Sequence, residues 1–232
     1  MNTLEVQDLR FRWPGGEPCL DVPAFALAPG ESVFLHGPSG SGKSTLLSLL
    51  AGVLAPPVGE VRLLGRSWDT LSSAGRDQVR ADHVGYIFQQ FNLLPYLSVL
   101  RNVLLPCRLS KARAQRAERA GGERETAQQL LQNLGIEASL WHRPASTLSV
   151  GQQQRVAAAR ALVGQPELVI ADEPTSALDA ERRDAFMHLL LAACGRAGST
   201  LLFVSHDERL ASHFQRVVAL RDINRVAQRV SA

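Results

Sequence analysis

The stretch Gly37-Pro38-Ser39-Gly40-Ser41-Gly42-Lys43-Ser44-Thr45 lies between two apolar runs, Val33-Phe34-Leu35 and Leu46-Leu47-Ser48-Leu49-Leu50-Ala51. Together they read as strand, loop and helix, and the spacing G-x-x-x-x-G-K-[ST] is that of a phosphate-binding loop. Glycine lets backbone N–H groups curl around an anion without Cβ clashes, and the following helix turns its positive end to the same point. Composition sharpens the reading. Of 25 basic side chains only Lys43 and Lys111 are lysines. A compact ammonium on a flexible stem reaches between β- and γ-phosphates where a planar guanidinium fits poorly. The loop therefore implies a nucleoside triphosphate, held by Gly37 through Thr45.

The 232 residues are enough to bury a substantial core, and 45% apolar with 20% charged residues is ordinary for a globular protein. A net charge of +3 is too small to imply nucleic acid or an anionic membrane surface. Cys19, Cys107 and Cys194 are far apart and match no metal-ligand spacing, so reduced thiols are expected. No apolar run approaches a membrane span, and Met1-Asn2-Thr3-Leu4-Glu5 does not begin a secretory signal. Work at a membrane would require docking on another protein.

Upstream of the loop, Leu4 to Trp13 reads as two short β pieces ending at Pro14-Gly15-Gly16, followed by strands at Phe25-Ala26-Leu27 and Ser32 to His36. A turn at Pro56-Pro57-Val58-Gly59 leads into a strand from Glu60 to Leu64. From about Ser98 to Gln132 strand-like runs vanish, and Arg101, Arg108, Arg113, Arg116, Arg119 and Arg124 crowd a helical pattern interrupted by Gly121-Gly122. This segment is expected to be an inserted helical subdomain whose arginines form a solvated face. Strand and helix alternate again through Leu168–Ala171, Ala180–Ala193, Thr200–Ser205 and Val217–Leu220, which predicts a mainly parallel sheet with helices on both faces.

Leu168-Val169-Ile170-Ala171 ends on Asp172-Glu173-Pro174, and the C-terminal end of a parallel strand is where ligands of α/β sheets sit. Mg²⁺ takes oxygen ligands and keeps several waters, so Ser44, Asp172 and the phosphates make a sensible set. Glu173 is placed to orient or deprotonate an attacking water. In Leu148-Ser149-Val150-Gly151-Gln152, Ser149 and Gln152 have the form of a capping box before an alanine-rich helix. That helix N-terminus is a candidate second anion site, suggesting a pocket closed by another subunit.

On these residues the chain resembles the ATP-binding subunits of ABC (ATP-binding cassette) transporters over nearly its whole length. The family signature reads Leu148-Ser149-Val150-Gly151-Gln152, and Ser176-Ala177-Leu178-Asp179 matches the segment passing between two ATP sites. Val204-Ser205-His206-Asp207 carries the switch histidine, Tyr86-Ile87-Phe88-Gln89 the lid glutamine, and Trp13 stands where an aromatic stacks on adenine. The run Val84 to Pro95 most resembles the lipoprotein-releasing and macrolide-export group. The resemblance implies one α/β nucleotide-binding domain over 1–232: a P-loop core with a mixed, mainly parallel sheet, an antiparallel β subdomain and a helical subdomain over about 90–150. It implies ATP and Mg²⁺ as cofactors, with Ser44, Gln89 and Asp172 at the metal and Glu173, His206 and Gln89 in catalysis. It implies a homodimer in which Ser149, Gly151, Gln152 and Asp179 of one copy complete the other's site. The partner would be a membrane-spanning permease at the cytoplasmic face of a bacterial membrane, with no nucleic acid and no membrane span of the chain's own.

Three positions depart from the family pattern. Val150 replaces the usual glycine, which would be costly if positive φ were required. Arg101 replaces a common glutamate on the surface expected to meet the permease. Arg221-Asp222-Ile223-Asn224 lacks the usual glycine turn, leaving the last strand open. Two other readings share the loop: an ABC-type ATPase regulating a cell-envelope or division complex without transport, and a P-loop kinase. The signature and Glu173 argue against the kinase.

Overall fold

The computed structural model describes residues 1–56, 58–176 and 178–226. Pro57 of the expected turn and Ala177 of the expected connecting segment lie outside the described residues. Strands β1 (Leu4–Arg12), β2 (Pro18–Leu27), β4 (Val58–Leu63) and β5 (Arg66–Ser67) form an antiparallel sheet in the order β2-β1-β4-β5. Strands β3 (Ser32–His36), β6 (Val84–Ile87), β7 (Leu168–Asp172), β8 (Thr200–Ser205) and β9 (Arg216–Ala219) form a second sheet in the order β6-β7-β8-β3-β9. The second sheet is parallel in every pairing, whereas the first is antiparallel throughout. Helices are α1 (Lys43–Leu50), α2 (Ser73–His83), α3 (Val99–Leu109), α4 (Lys111–Arg119), α5 (Glu123–Asn133), α6 (Val150–Leu162), α7 (Ala180–Ala197) and α8 (Leu220–Ile223).

The parallel strands are apolar throughout because both faces are covered. Side chains alternate between faces with period two. Val33, Leu35, Leu168, Ile170, Leu202 and Val204 enter one core with α1 and the antiparallel sheet. Phe34, Val169, Ala171, Leu201 and Phe203 enter the other with α3, α5, α6 and α7.

The two short pieces expected at the N-terminus are one strand. Leu4, Val6 and Leu9 are buried, so the inward parity switches near Asp8, which adopts φ 47°. Its partner strand switches in step, from Leu20 and Val22 to Phe25 and Leu27, and the Asp8–Pro23 rung is missing from the ladder. Irregular pairing, not a chain break, interrupts the alternation. Phe25-Ala26-Leu27 is accordingly the end of β2.

The arginines of α4 do not form a wholly solvated face, contrary to expectation. Arg113 is 1% exposed and donates from Nη2 to the Ala161 carbonyl at 3.3 Å. Burial pushes its guanidinium down to about 10. Arg116 donates from Nε to the Gly164 carbonyl at 2.6 Å and from Nη2 to the Asp82 carbonyl. These two tie α4 to α2, to the end of α6 and to the link between α6 and β7, while Arg101, Arg108, Arg119 and Arg124 are exposed. Carbonyls at helix ends need donors, and long arginine stems reach them.

β9 forms as expected, and the chain then turns into α8 without a glycine. Asn224 locks this end: its Oδ1 accepts from Asp21 N at 2.9 Å and its Nδ2 donates to the Cys19 carbonyl at 3.1 Å, with the residue 1% exposed. Asn224→Ala should lower the unfolding free energy by about 2 kcal/mol, because it orphans two backbone groups of β2. Urea denaturation at unchanged m-value checks this; a midpoint equal to the parent's would show that the clasp carries no stability.

Candidate nucleotide site

Parallel pairing sets the strand ends level. His36 pairs with Ser205, Asp172 with Val204, and Ile87 with Ala171. The phosphate loop after β3, the acids after β7, His206 after β8 and Gln89 after β6 therefore leave one edge of the sheet.

The loop is built for close approach. Gly40 and Gly42 adopt φ 77° and 96°. A Cβ on Gly42 would come within 3.1 Å of Leu20 and 3.2 Å of Cys19 Sγ, so β2 closes the back of the loop. Gly42 caps α1 without a side-chain bond, which leaves first-turn amides open to an anion. The Ser41 hydroxyl is buried and has no hydrogen-bond partner. Lys43 is 7% exposed, and its Nζ donates to the carbonyls of Gly37 at 2.8 Å and Pro38 at 3.0 Å. Ser44 is exposed in the first turn of α1 and Thr45 is half-buried beside it.

Glu173 joins the loop to His206. Its Oε1 lies 3.6 Å from Lys43 Nζ and its Oε2 3.1 Å from His206 Nδ1. It is not a carboxylate facing open solvent: its side chain is 16% exposed, against 58% for His206. Its backbone adopts φ 45°, the left-handed region, held by a bond from Glu173 N to the Val204 carbonyl at 2.9 Å. Burial and the neighbouring Glu173 charge push the Asp172 carboxyl up from its ordinary value, while Lys43 and the Tyr86 hydroxyl pull it down. Burial likewise pushes the Tyr86 phenol up.

The remaining expected site residues stand apart. Ser149 caps α6: Gln152 N donates to Ser149 Oγ at 3.3 Å, and Ser149 N to Gln152 Oε1 at 2.9 Å. Gly151 faces open space, where an added Cβ would meet nothing within 4 Å. Val150 begins the helix and is 50% exposed, so the glycine it replaces is not needed for left-handed backbone here. Asp179 caps α7 through Arg182 N at 2.9 Å. Gln89 is exposed in the turn after β6. Trp13 is 47% exposed at the β1–β2 turn and packs edge-on against Phe11 at 5.2 Å. Arg12 pairs with Pro18, next to the Cys19 that touches Gly42, so this turn lies at the phosphate-loop end of the antiparallel sheet.

Several supporting groups escaped the sequence reading. Gln154, 1% exposed on α6, donates to the Pro174 carbonyl at 2.9 Å, directly after Glu173. Arg160 donates to the carbonyls of Phe91 and Asn92 beyond Gln89. Asp207, directly after His206, is anchored by pairing with Arg209 and with Arg183 of α7, which holds its carboxyl well down at about 2. A polar residue on the buried helix face, in register with Ala157, Ala158 and Ala161, was the available signal for Gln154.

The ABC transporter family matches residues 20–176. The macrolide export ATP-binding/permease protein MacB of Rhodopseudomonas palustris is 39% identical over 234 residues, covering 100% of this chain and 35% of MacB. The lipoprotein-releasing system ATP-binding protein LolD of Anaeromyxobacter dehalogenans is 41% identical over 223 residues, covering 95% of this chain and 91% of LolD. The dimeric post-hydrolysis structure of the ATP-binding cassette MJ0796 with ADP and Pi superposes at a TM-score of 0.80, with 32% identity over 93% of each chain. The chain thus spans about a third of its ATP-binding/permease relatives and nearly the whole of LolD. A match of that extent, in both sequence and fold, places the chain in the ABC transporter family as an ATP-binding cassette.

Proposed function

We propose that two copies of this chain close head to tail around two ATP molecules, and that the opening and closing of this pair drives a membrane-spanning permease. The observation that carries the reading is the capped end of α6. Ala161 at its far end lies against Gly85 of β6, and Gln154 reaches Pro174 at the ligand edge of the sheet. Ser149 lies a further five residues toward the N-terminus, about 7.5 Å along the helix axis at 1.5 Å per residue. Gly151 meets nothing there, so its missing side chain serves a surface outside the chain.

Within the site, Lys43 and the loop amides would hold the phosphates, with the unpartnered Ser41 hydroxyl donating to one of their oxygens. Glu173 would accept the proton of a water as its oxygen bonds the γ-phosphorus and the bond to ADP breaks, with His206 orienting both. Ser44, Asp172 and Gln89, which leave the same edge of the sheet on separate elements, would present the hard oxygen donors that Mg²⁺ prefers. Among the described residues no three His, Cys, Asp or Glu gather as a metal cage, in keeping with an ion that takes its other ligands from phosphate and water. Bound there, Mg²⁺ would neutralise phosphate charge. Asp179 and Gln152 would reach across from the partner copy, and Trp13 would stack on adenine.

The permease would dock in a groove of about 840 Å³ between α2, the lid and the end of α3, lined in part by Val53, Tyr86, Phe88, Leu105 and Leu109. Phe88 and Leu109 are exposed there, and Phe88 adjoins Gln89, so an occupant would touch the lid. Among the described residues no helix is long and apolar enough to cross a membrane. The helical subdomain over about 90–150, comprising α3 to α5 and the approach to α6, would carry this surface at the cytoplasmic face.

Glu173→Gln should bind ATP and dimerise with it while turnover falls about 10³-fold, the scale of a lost general base. Steady-state phosphate release at the parent's rate would refute the assignment. Trp13→Ala should weaken ATP binding about tenfold at near-normal maximal rate, the loss of one aromatic stack. Unchanged affinity in equilibrium titration would leave Trp13 as a hydrophobic plug on Phe11. Gly151→Ala should melt at or slightly above the parent temperature, since alanine favours a helix by up to about 1 kcal/mol. The same variant should lose ATP-dependent dimerisation in gel filtration; a dimer of normal strength would mean that nothing approaches this glycine.

A further inference from the structure

We propose that Arg160 is a positioning residue that ties the lid turn after Gln89 to the helix presented to the partner's ATP, so that seating of one triphosphate is felt at the lid of the other. The proposal rests on the two-chain reading above. Arg160 Nη1 donates to the Asn92 carbonyl at 2.6 Å and Nη2 to the Phe91 carbonyl at 2.5 Å. One guanidinium thus grips two successive carbonyls, a geometry that the fork of arginine satisfies and a lysine ammonium does not.

The gripped turn is the one that contains Gln89. Phe91 N donates to the Phe88 carbonyl at 2.9 Å and Asn92 N to the Gln90 carbonyl at 2.7 Å, closing the backbone over 88–92. Phe91 and Asn92 adopt φ 60° and 49°, a region that side-chain-bearing residues enter only when their surroundings hold them there. The Phe91 ring, 7% exposed, anchors the turn in the same core as α6, and Arg160 holds its carbonyls. The turn cannot shift without either moving α6 or breaking both bonds.

Helix α6 is suited to pass on displacement. It carries Ser149 at its tip, Gln154 on the Pro174 carbonyl beside Glu173, and Arg160 about 16 Å from the tip by the helical rise. Val156 to Ala159 are buried, so it is packed along its length and moves as a rod. A load on its N-terminus from the partner's triphosphate therefore reaches both the general base and the lid glutamine of its own chain. The alternative is that Arg160 merely satisfies two carbonyls of a tight turn. Then its loss would cost stability and affinity without altering how two sites cooperate.

Arg160→Lys and Arg160→Gln, made in the full chain, separate the two. The variants should bind a fluorescent ATP analogue with magnesium within about twofold of the parent affinity, and melt within a few degrees of it. Their kcat should fall about tenfold or more, and the Hill coefficient for ATP should drop from near two toward one. Parent-like kcat and Hill coefficient in both variants would overturn the proposal. So would losses of affinity and melting temperature that account for the fall in kcat. The two-chain reading has its own control, ATP-dependent dimerisation of Glu173→Gln with Arg160 intact. If no dimer forms, the reading and this inference fall together; if the dimer forms and Arg160→Lys turns over normally, only the inference falls.

Discussion

Parallel hydrogen bonding places His36 beside Ser205 and Val204 beside Asp172, and this register fixes where each candidate site residue leaves the sheet. β3 delivers the phosphate loop, β7 Asp172 on its last paired rung with Glu173 one residue beyond, and β8 the histidine one residue beyond Ser205. The register is held by burial, because successive residues of each strand enter different cores. A slip of one residue would turn Phe34, Val169 and Phe203 toward the wrong layer, exchanging their packing for that of smaller neighbours. The hydrophobic cores thus support the 3.6 Å and 3.1 Å spacings around Glu173, and Leu20 and Leu220 carry one of them up to the back of the phosphate loop.

Close packing extends the same precision to α6. Its alanines let the helix approach the sheet, and Gly85 permits contact so tight that a Cβ would lie 2.3 Å from the Ala161 carbonyl. With the far end of the helix seated there and Gln154 bonded at the ligand edge, the direction of the N-terminus is determined. The capping box contributes at that tip by satisfying one amide with Ser149 and returning Gln152 to the Ser149 amide. Where this helix points is therefore a property of the whole core and not of the signature residues alone.

The loop, the strand-end acids, the cap and the alternation of strand and helix were legible in the sequence because each is a local pattern with a fixed spacing. Gly37 to Thr45 needs only its neighbours to form a cradle, and Ser149 finds Gln152 one helical turn away. What escaped was non-local. The arginines of α4 have the periodicity of a wet helix face, and nothing in that segment announces the carbonyls of Asp82, Ala161 and Gly164 waiting for Arg113 and Arg116. Gln154 sits among four polar residues, and only the carbonyl of Pro174 distinguishes it from Gln153. The switch of inward parity at Asp8 depends on β2 switching with it, which one strand read alone cannot disclose. The glycine expected in place of Val150 illustrates the converse: a motif position that local rules make suspect is an ordinary first helical residue.

Charge explains why such a pair of chains should need its ligand to close. In the proposed dimer the Lys43 loop faces the N-terminus of the partner's α6, and both are positive. Lys43 carries a full charge and the helix end about half of one. Helix geometry gives the amides of Val150 and Gly151 no intrahelical partner, so this end can accept an anion. Brought together without ATP, the two surfaces repel and lose hydration. With a triphosphate between them each surface gains a counter-charge, and the exclusion of water strengthens both attractions. Glu173 offsets part of the Lys43 charge at 3.6 Å, so hydrolysis and departure of phosphate restore the repulsion at the point where the base and the lysine meet. In the proposed dimer the ligand would thus be the adhesive, and cutting it would release the pair.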